Sequence, residues 1–256
     1  MKVYITGSRG LIGSHLKYAL MEEGHEIIEW DLEINKDIKD FKIDFEDHGG
    51  RDFCIHLAAH ANVRKSFEDP EKYWQNNIEN TKLVQSVCAM HNIPMFYASS
   101  SCVHNWWKSP YGVTKRVNEV TAWQDQIGLR FTTVYGPGAR DTMFISKLVD
   151  GTCEYVTEHI RDFVHVDDVV DAILLLMRQD ITTLDPTYEI GTGKGKMVRY
   201  VAYAGGYGHL PIKPGEECEA QDNTADNKPL LKLGWTPQHE VVDYVKKHCK
   251  PDKIAV

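Results

Sequence analysis

The chain lacks what several broad classes of protein require. Its six cysteines, at 54, 88, 102, 153, 218 and 249, include no Cys-x-x-Cys pair. That pattern argues against a zinc site or a disulfide framework and for reduced thiols in a cytosol. Twelve dispersed histidines show no metal-like grouping along the sequence, so no metal ligands are expected. No apolar run approaches the ~20 residues of a membrane span; the run 173–177 is short and flanked by Asp171 and Arg178. Positive charge is in deficit, with 29 Lys and Arg against 37 Asp and Glu, a net of −8. General attraction to nucleic acid or an anionic membrane is therefore not expected, and an anionic ligand must be held by a local site. Internal repeats, low-complexity tracts and flexible linkers are also absent from the sequence. The opening MKVYITGSRG enters a strand pattern at once and leaves no room for a signal peptide, so a cytoplasmic location is expected.

What is present is an ordinary globular composition, 42% apolar and 26% charged over 256 residues. That length suits one large α/β domain, or such a domain with a small annex. KVYIT, HEIIEW, FCIHLAA and PMFYASS read as strands, separated by helical patterns at LIGSHLKYALMEEG and from about Lys72 to His91. A helix over 111–127 and a strand in GLRFTTVYG continue the rhythm. Such alternation predicts a doubly wound parallel sheet covered on both faces, a Rossmann-type α/β fold. Beyond about Gly136 short strands, glycines and prolines take over, with helices near 167–178 and 237–249. Residues 1–135 are read mainly as a nucleotide-binding domain. Residues 136–256 are read mainly as a small discontinuous substrate lobe, with segments near 160–192 returning to the first domain.

TGSRGLIG places Gly7, Gly10 and Gly13 directly after a strand and before a helix. The spacing G-x-x-G-x-x-G is a variant of the dinucleotide fingerprint, in which glycines let the backbone turn and approach a pyrophosphate at a helix N-terminus. Asp31 follows the second strand, where a carboxylate can accept hydrogen bonds from the adenine ribose and repel a 2′-phosphate; NAD is favoured over NADP. Tyr111 and Lys115 lie four apart near the start of a helix and share its face. A lysine ammonium beside a phenol favours the phenolate, which makes Tyr111 a candidate base. Ser100, at the end of the preceding strand, can hydrogen-bond the same substrate oxygen.

In order, GxxGxxG, the acidic residue after strand two, HLAAHANVRKSFEDPEKYWQNNIENT, SSSCV, SPYGVTK, GLRFTTVYGPG, RDFVHVDDV, YEIGTG and LGWTP resemble the extended short-chain dehydrogenase/reductase family, specifically its NAD-dependent nucleotide-sugar epimerases and dehydratases. The resemblance spans nearly the whole chain. It implies NAD as cofactor, a nucleotide-diphosphate sugar as substrate, Tyr111 as base, Lys115 on the nicotinamide ribose and Ser100 as the partner hydroxyl. It also implies that Arg9, Leu11 and Ile12 of the glycine loop, Leu57, Ala58, Ala59, Asn77 and Ser99 line the cofactor, and that Ser101 faces substrate. Asp37-Ile38 fits the family's adenine contact, with Asp44-Phe45 as a rival. On the substrate side Arg161 matches a diphosphate contact or is a structural arginine paired with Asp162 or Asp167. Lys213 stands where relatives carry Arg, and Thr133 where many carry Asn. Relatives often pair through the 72–91 helix and the one starting at Tyr111, and the wide apolar arc of the former suggests a homodimer.

The connection between Ser100 and Tyr111 is shorter than in many relatives, so a more open site is expected, with Trp106 and Trp107 either capping the pocket or packing the short loop. Cys102 stands where dehydratases of the family carry Glu and where 3,5-epimerases carry an acid/base cysteine; it is read as that, or as a small residue closing a strand. The implied activity is epimerisation through a transient 4-keto sugar, most like a UDP-hexose 4-epimerase. A 4,6-dehydratase, a GDP-sugar 3,5-epimerase/reductase and a catalytically idle NAD-binding regulator are the alternatives.

Overall fold

Alternating β-rich and amphipathic segments fold into the expected layers in the computed structural model, which describes residues 1–42 and 52–250. The strands are β1 (Lys2–Thr6), β2 (Glu26–Trp30), β3 (Phe53–His56), β4 (Met95–Ser100), β5 (Gln126–Phe131), β6 (Thr133–Tyr135), β7 (Ile160–Arg161), β8 (Phe163–His165), β9 (Thr187–Ile190) and β10 (Lys196–Met197). The helices are α1 (Leu11–Glu22), α2 (Lys65–Glu68), α3 (Pro70–Trp74), α4 (Asn80–Met90), α5 (Pro110–Val120), α6 (Phe144–Asp150), α7 (Val166–Met177), α8 (Val198–Ala204), α9 (Lys228–Lys232) and α10 (Val241–His248).

Six strands form one sheet in the order β2-β1-β3-β4-β5-β9. β1 pairs in parallel with both β2 and β3, and β3 with β4. The chain steps outward from β1 to β2, then crosses back to β3, so strand order reverses between β1 and β3. In sheets of this kind the carboxyl ends of the strands at that reversal are where ligands bind. The fold is the Rossmann-type α/β fold expected.

By packing the chain divides into two units: Met1–Arg130 with Ile173–Tyr188, and Phe131–Ala172 with the chain from Glu189 onward. Each has a core of its own. In the first, Tyr4, Trp30, Ile38, Phe41, Cys54, Val84, Cys88, Met95 and Tyr97 pack together. In the second, Tyr135, Ile145, Leu148, Val156, Phe163, Val201, Val241 and Val245 do so. The second unit adds a parallel β6–β8 pair and an antiparallel β7–β10 pair.

Several boundaries differ from the sequence expectation: the strand expected in GLRFTTVYG divides into β5 and β6, which join different sheets, and two helices shift for identifiable reasons. The 72–91 helix begins earlier, at Pro70, because Asp69 caps it by accepting from the Lys72 amide (3.0 Å). It also contains a π turn, Gln75–Glu79, between α3 and α4. The helix expected over 111–127 stops at Val120, because Gln126 is drawn into β5, where its buried amide donates to the Gln85 carbonyl (2.8 Å). No helix among the described residues is long and apolar enough to cross a membrane.

Candidate active site

The glycine loop forms as its spacing requires. Gly7 has φ +69°, and a Cβ there would lie 2.7 Å from the Ala58 amide nitrogen, so a side chain is excluded where the loops after β1 and β3 meet. A Cβ on Gly13 would strike the Gly7 carbonyl, so that glycine lets α1 sit down on the turn. Gly10 is the N-cap of α1 and has no side chain to cap it, which leaves the first helical amides toward the loop mouth. Arg9 lies exposed with its guanidinium 3.3 Å from Glu29, and Leu11 and Ile12 open the helix, half-buried. Ser8 within the loop is fully buried, and its hydroxyl has no hydrogen-bond partner.

Asp31 ends β2 and faces this loop. One carboxylate oxygen accepts from the Arg9 amide (2.9 Å) and the other from the Glu33 amide (3.0 Å). Asp37 caps the next short turn by accepting from the Lys39 amide, while Ile38 is buried in the core beside Trp30 and Phe41. Asp44-Phe45 lies outside the described residues. Leu57, Ala58 and Ala59 follow β3 directly; the Ala58 amide donates to Thr6 Oγ1 (3.2 Å). The same hydroxyl meets His56 Nδ1 (2.7 Å), whose other nitrogen meets Thr81 Oγ1 (2.9 Å). Burial, with a smaller push from Lys115, brings the His56 imidazole down to about 3, so it is neutral at pH 7. These residues suit a dinucleotide: a helix N-terminus for the pyrophosphate, a carboxylate for ribose hydroxyls and a buried hydroxyl awaiting a partner.

The π turn puts Asn77 at the centre of the site's scaffold, a common setting for such turns. Its side chain accepts from the His60 amide (2.8 Å) and donates to the His60 carbonyl (2.9 Å) and to Thr114 Oγ1 (3.2 Å). Its main-chain carbonyl accepts from Asn118 (2.7 Å). Asn77 therefore ties the loop after β3 to α5.

α5 starts where the sequence S-P-Y-G says it should. Ser109 caps it by accepting from the Gly112 amide (3.0 Å), and Pro110 occupies the first turn. Tyr111 and Lys115 then share a face and are both buried. The Lys115 ammonium lies 5.8 Å from the Tyr111 ring centroid and donates to the Ala98 carbonyl of β4 (2.8 Å). Burial lowers the Lys115 amine to about 8, with the nearby Cys102 pulling it the other way; it stays cationic at neutral pH. Ser100 ends β4, and its Oγ accepts from the Cys102 amide (3.2 Å), starting a 3-10 stretch, Ser101–Lys108. Ser101 is buried at its start and Cys102 half-buried. Ser100, Cys102, Tyr111 and Lys115 thus gather at the ends of β4 and α5.

Ser99 does not turn toward this group. Its hydroxyl donates to Glu119 on α5 (2.7 Å), and the same carboxylate takes a fork from Arg130 (2.8 and 2.9 Å). Glu119 and Arg130 were not among the expected residues, although the spacing Tyr-x-x-x-Lys-x-x-x-Glu already puts Glu119 on the face of Tyr111 and Lys115. Trp107 helps line a depression of about 360 Å³ with Phe67, Pro70, Trp74, Pro110 and Val113. Ser100, Tyr111 and Lys115 are not among its lining residues. Trp106 and Trp107 meet edge to face, and both are exposed.

Thr133, Arg161 and Lys213 belong to the second unit. Thr133 Oγ1 accepts from Asn223 (3.3 Å), and the Lys213 ammonium lies 4.5 Å from the Tyr155 ring centroid. Arg161 is neither paired with Asp162 nor with Asp167: it donates to the Ile160 and Ala220 carbonyls (2.9 and 2.8 Å) and to Glu219 (3.0 Å). His165, Asp167 and His239 place ligand-type atoms within 4.8 Å of one another, a grouping the sequence spacing hides. The two imidazoles stack at 4.2 Å with planes 23° apart, so their lone pairs run side by side rather than toward one point, and His239 Nδ1 is held by Asp168 (2.9 Å).

Residues 3–191 match the model of the NAD dependent epimerase/dehydratase family. The chain belongs to that family. It is therefore an NAD-dependent enzyme, and the glycine loop and Asp31 are the parts of it suited to that cofactor. Protein CapI of Staphylococcus aureus is 32% identical, with 70% of each chain covered. A UDP-glucose 4-epimerase of Lactobacillus helveticus is 26% identical over 96% of this chain and 94% of its own. Among solved structures, MoeE5 in complex with UDP-glucuronic acid and NAD is similar with a TM-score of 0.79 and 28% identity, 96% of each chain being covered.

Proposed function

We propose that this enzyme epimerises a nucleotide-diphosphate sugar through a transient 4-keto sugar, and that UDP-hexose C4 inversion is its reaction. What supports this reading is Ser100 at the end of β4, Lys115 on the Ala98 carbonyl of the same strand and Tyr111 beside Lys115, in a family member whose glycine loop and Asp31 suit NAD. Tyr111 takes the proton of the C4 hydroxyl as the carbon is oxidised, and returns a proton to that oxygen after the sugar has turned over. Lys115 holds positive charge beside the phenol throughout, and Ser100 Oγ–H donates to the sugar oxygen. When bound, NAD supplies the hydride acceptor for the first half of the reaction and the donor for the second. The names of similar proteins, a UDP-glucose 4-epimerase and a structure holding UDP-glucuronic acid, support a UDP-sugar as substrate.

Cys102 favours a second reading. Its thiol is close enough to Lys115 to act on it electrostatically, and a thiolate there can remove a proton from carbon next to the ketone, as 3,5-epimerisation requires. NMR of product sugars after incubation with NAD and UDP-, GDP- and dTDP-sugars tests both readings. Inversion at C4 alone is expected; water loss or inversion at C3 or C5 favours the second, and no conversion of any sugar overturns both.

The enzyme acts as a homodimer in this account. Val113, Val117 and Val120 recur along one side of α5, the last exposed, and Phe67, Trp74 and Trp107 add exposed apolar surface nearby. A stripe at that spacing suits a partner helix. Light scattering at micromolar concentration is expected to give twice the chain mass, and a monomer contradicts it.

A further inference from the structure

We propose that Glu119 is a positioning residue for the active site, acting through Ser99 and Arg130 to hold the end of β4 in register with α5. The inference rests on the reading of Ser100, Tyr111 and Lys115 given above. Tyr111, Lys115 and Glu119 follow one another at four-residue intervals on one face of α5; Lys115 and Glu119 bond β4, and Tyr111 lies beside Lys115. Lys115 reaches the Ala98 carbonyl (2.8 Å) and Glu119 the next residue's hydroxyl, Ser99 (2.7 Å). The residue after that is Ser100. Side chains alternate along a strand, so fixing Ser99 on one side of β4 fixes the opposite direction in which Ser100 is presented.

The carboxylate is itself over-determined. Glu119 Oε1 accepts from both Ser99 Oγ and Arg130 Nε (2.7 and 2.8 Å), and Oε2 from Arg130 Nη2 (2.9 Å) and Arg116 Nη1 (3.3 Å). Its side chain is 3% exposed, while Arg116 is largely in solvent at 45%. A buried, forked ion pair is weak evidence for stability but strong evidence for a fixed geometry. It links α5, β4 and β5 at one point, through the residue next to Ser100. A displacement of about 1 Å between such groups costs on the order of 100-fold in rate. Glu119 touches neither Ser100 nor the phenol in this arrangement, so its effect is on where they stand.

The test is steady-state kinetics with UDP-galactose, or with the sugar nucleotide that turns over in the panel, together with calorimetry of NAD binding. The proteins compared are wild type, Ser99→Ala, Glu119→Gln, the double variant, Arg116→Ala and Tyr111→Phe. Ser99→Ala and Glu119→Gln are each expected to lower kcat by about 10- to 100-fold, with KM and the NAD dissociation constant within about threefold of wild type. The double variant is expected to be no worse than the worse single one, because Ser99→Ala deletes and Glu119→Gln weakens the same Ser99–Glu119–Arg130 link. Arg116→Ala, which loses only the exposed arm, is expected to keep wild-type kcat. Near-wild-type kcat in Ser99→Ala, or losses that multiply in the double variant, overturns the proposal. If Glu119→Gln does not fold, Ser99→Ala decides alone, since it leaves the Arg130 fork intact. Failure of the underlying site reading has a different signature: Tyr111→Phe keeps its turnover.

Discussion

The two units use buried polar residues to different ends. In the first, buried or half-buried polar side chains tie neighbouring segments together close to the strand ends: Asp31 accepts from the glycine-loop amide of Arg9, Asn77 bonds the loop after β3 and α5, and Lys115 reaches the Ala98 carbonyl of β4. In the second, the acidic residues of RDFVHVDD staple distant loops. Asp162, fully buried, accepts from the Thr192 amide and hydroxyl, the Gly193 amide and the Ala225 amide. Asp168 accepts from the Gln238 and His239 amides and from the His239 ring. Arg161, read from the sequence as a diphosphate contact or as a structural arginine, is held by Glu219 and two carbonyls. In the proposed function the chemistry-bearing residue types of the first unit serve a reaction, whereas those of the second hold distant loops together.

That contrast breaks most visibly at Tyr111. Tyr111→Phe keeps the ring and its edge-to-face packing on Tyr73, so the fold and NAD binding are expected to persist while kcat falls by about a thousandfold. Retained turnover in that variant makes the polar residues of the first unit structural as well. Asp162→Ala is the counterpart in the second unit. It strands four donors, each costing about 1–3 kcal/mol when left unsatisfied in the interior, so urea denaturation is expected to show a loss of at least about 3 kcal/mol. Unchanged stability with a raised sugar-nucleotide KM shows instead that the motif serves substrate.

His56 sharpens the contrast from the stability side. It is buried neutral between Thr6 and Thr81, and its folded value of about 3 lies below the ordinary 6.5. The unfolded chain takes up a proton below pH 6.5 that the folded one refuses, so the His56 contribution is complete above that value and is lost as pH falls toward 3. Its slope is about 1.4 kcal/mol per pH unit. Denaturation at pH 6.5 and 4.5 is expected to show a smaller pH dependence in His56→Gln than in wild type; equal slopes refute the neutral buried imidazole. The smallest effect is expected at Asp31. Asp31→Ser removes the carboxylate that disfavours a 2′-phosphate and narrows the NAD over NADP preference by about tenfold, by calorimetry. Equal affinities in wild type contradict that assignment.

How legible each unit is in the sequence follows from the same difference. TGSRGLIG and SPYGVTK each carry their geometry within a few residues: turn, cap and shared helix face are local, so the spacing shows how Gly7, Gly13, Tyr111 and Lys115 stand, while the ordered set of motifs gave them their expected roles. The Rossmann-type sheet was legible for a like reason, since strand and helix periods alternate in plain view. Ser99 was not, because two adjacent serines at a strand end face opposite ways and only the partner, Glu119, decides which does what. The π turn at Asn77 is set by tertiary bonds to His60, Thr114 and Asn118 rather than by its own sequence. In the second unit nearly every decisive partner lies 30 to 71 residues away, as Thr192, Ala225 and His239 do from Asp162 and Asp168. A motif read locally there says which residues matter without saying to whom they are bound.

In the proposed reaction Tyr111 and its neighbours carry a C4 oxidation and its reversal, with no chemistry at other carbons. It is tested most directly by incubating the enzyme and NAD with UDP-galactose bearing deuterium at C4, in ordinary water, and with unlabelled UDP-galactose in heavy water. The expected product is UDP-glucose that keeps its C4 deuterium in the first case and gains none at carbon in the second, with Tyr111→Phe giving neither product. Deuterium washed out of C4, or solvent deuterium entering C3 or C5 of the product, contradicts it.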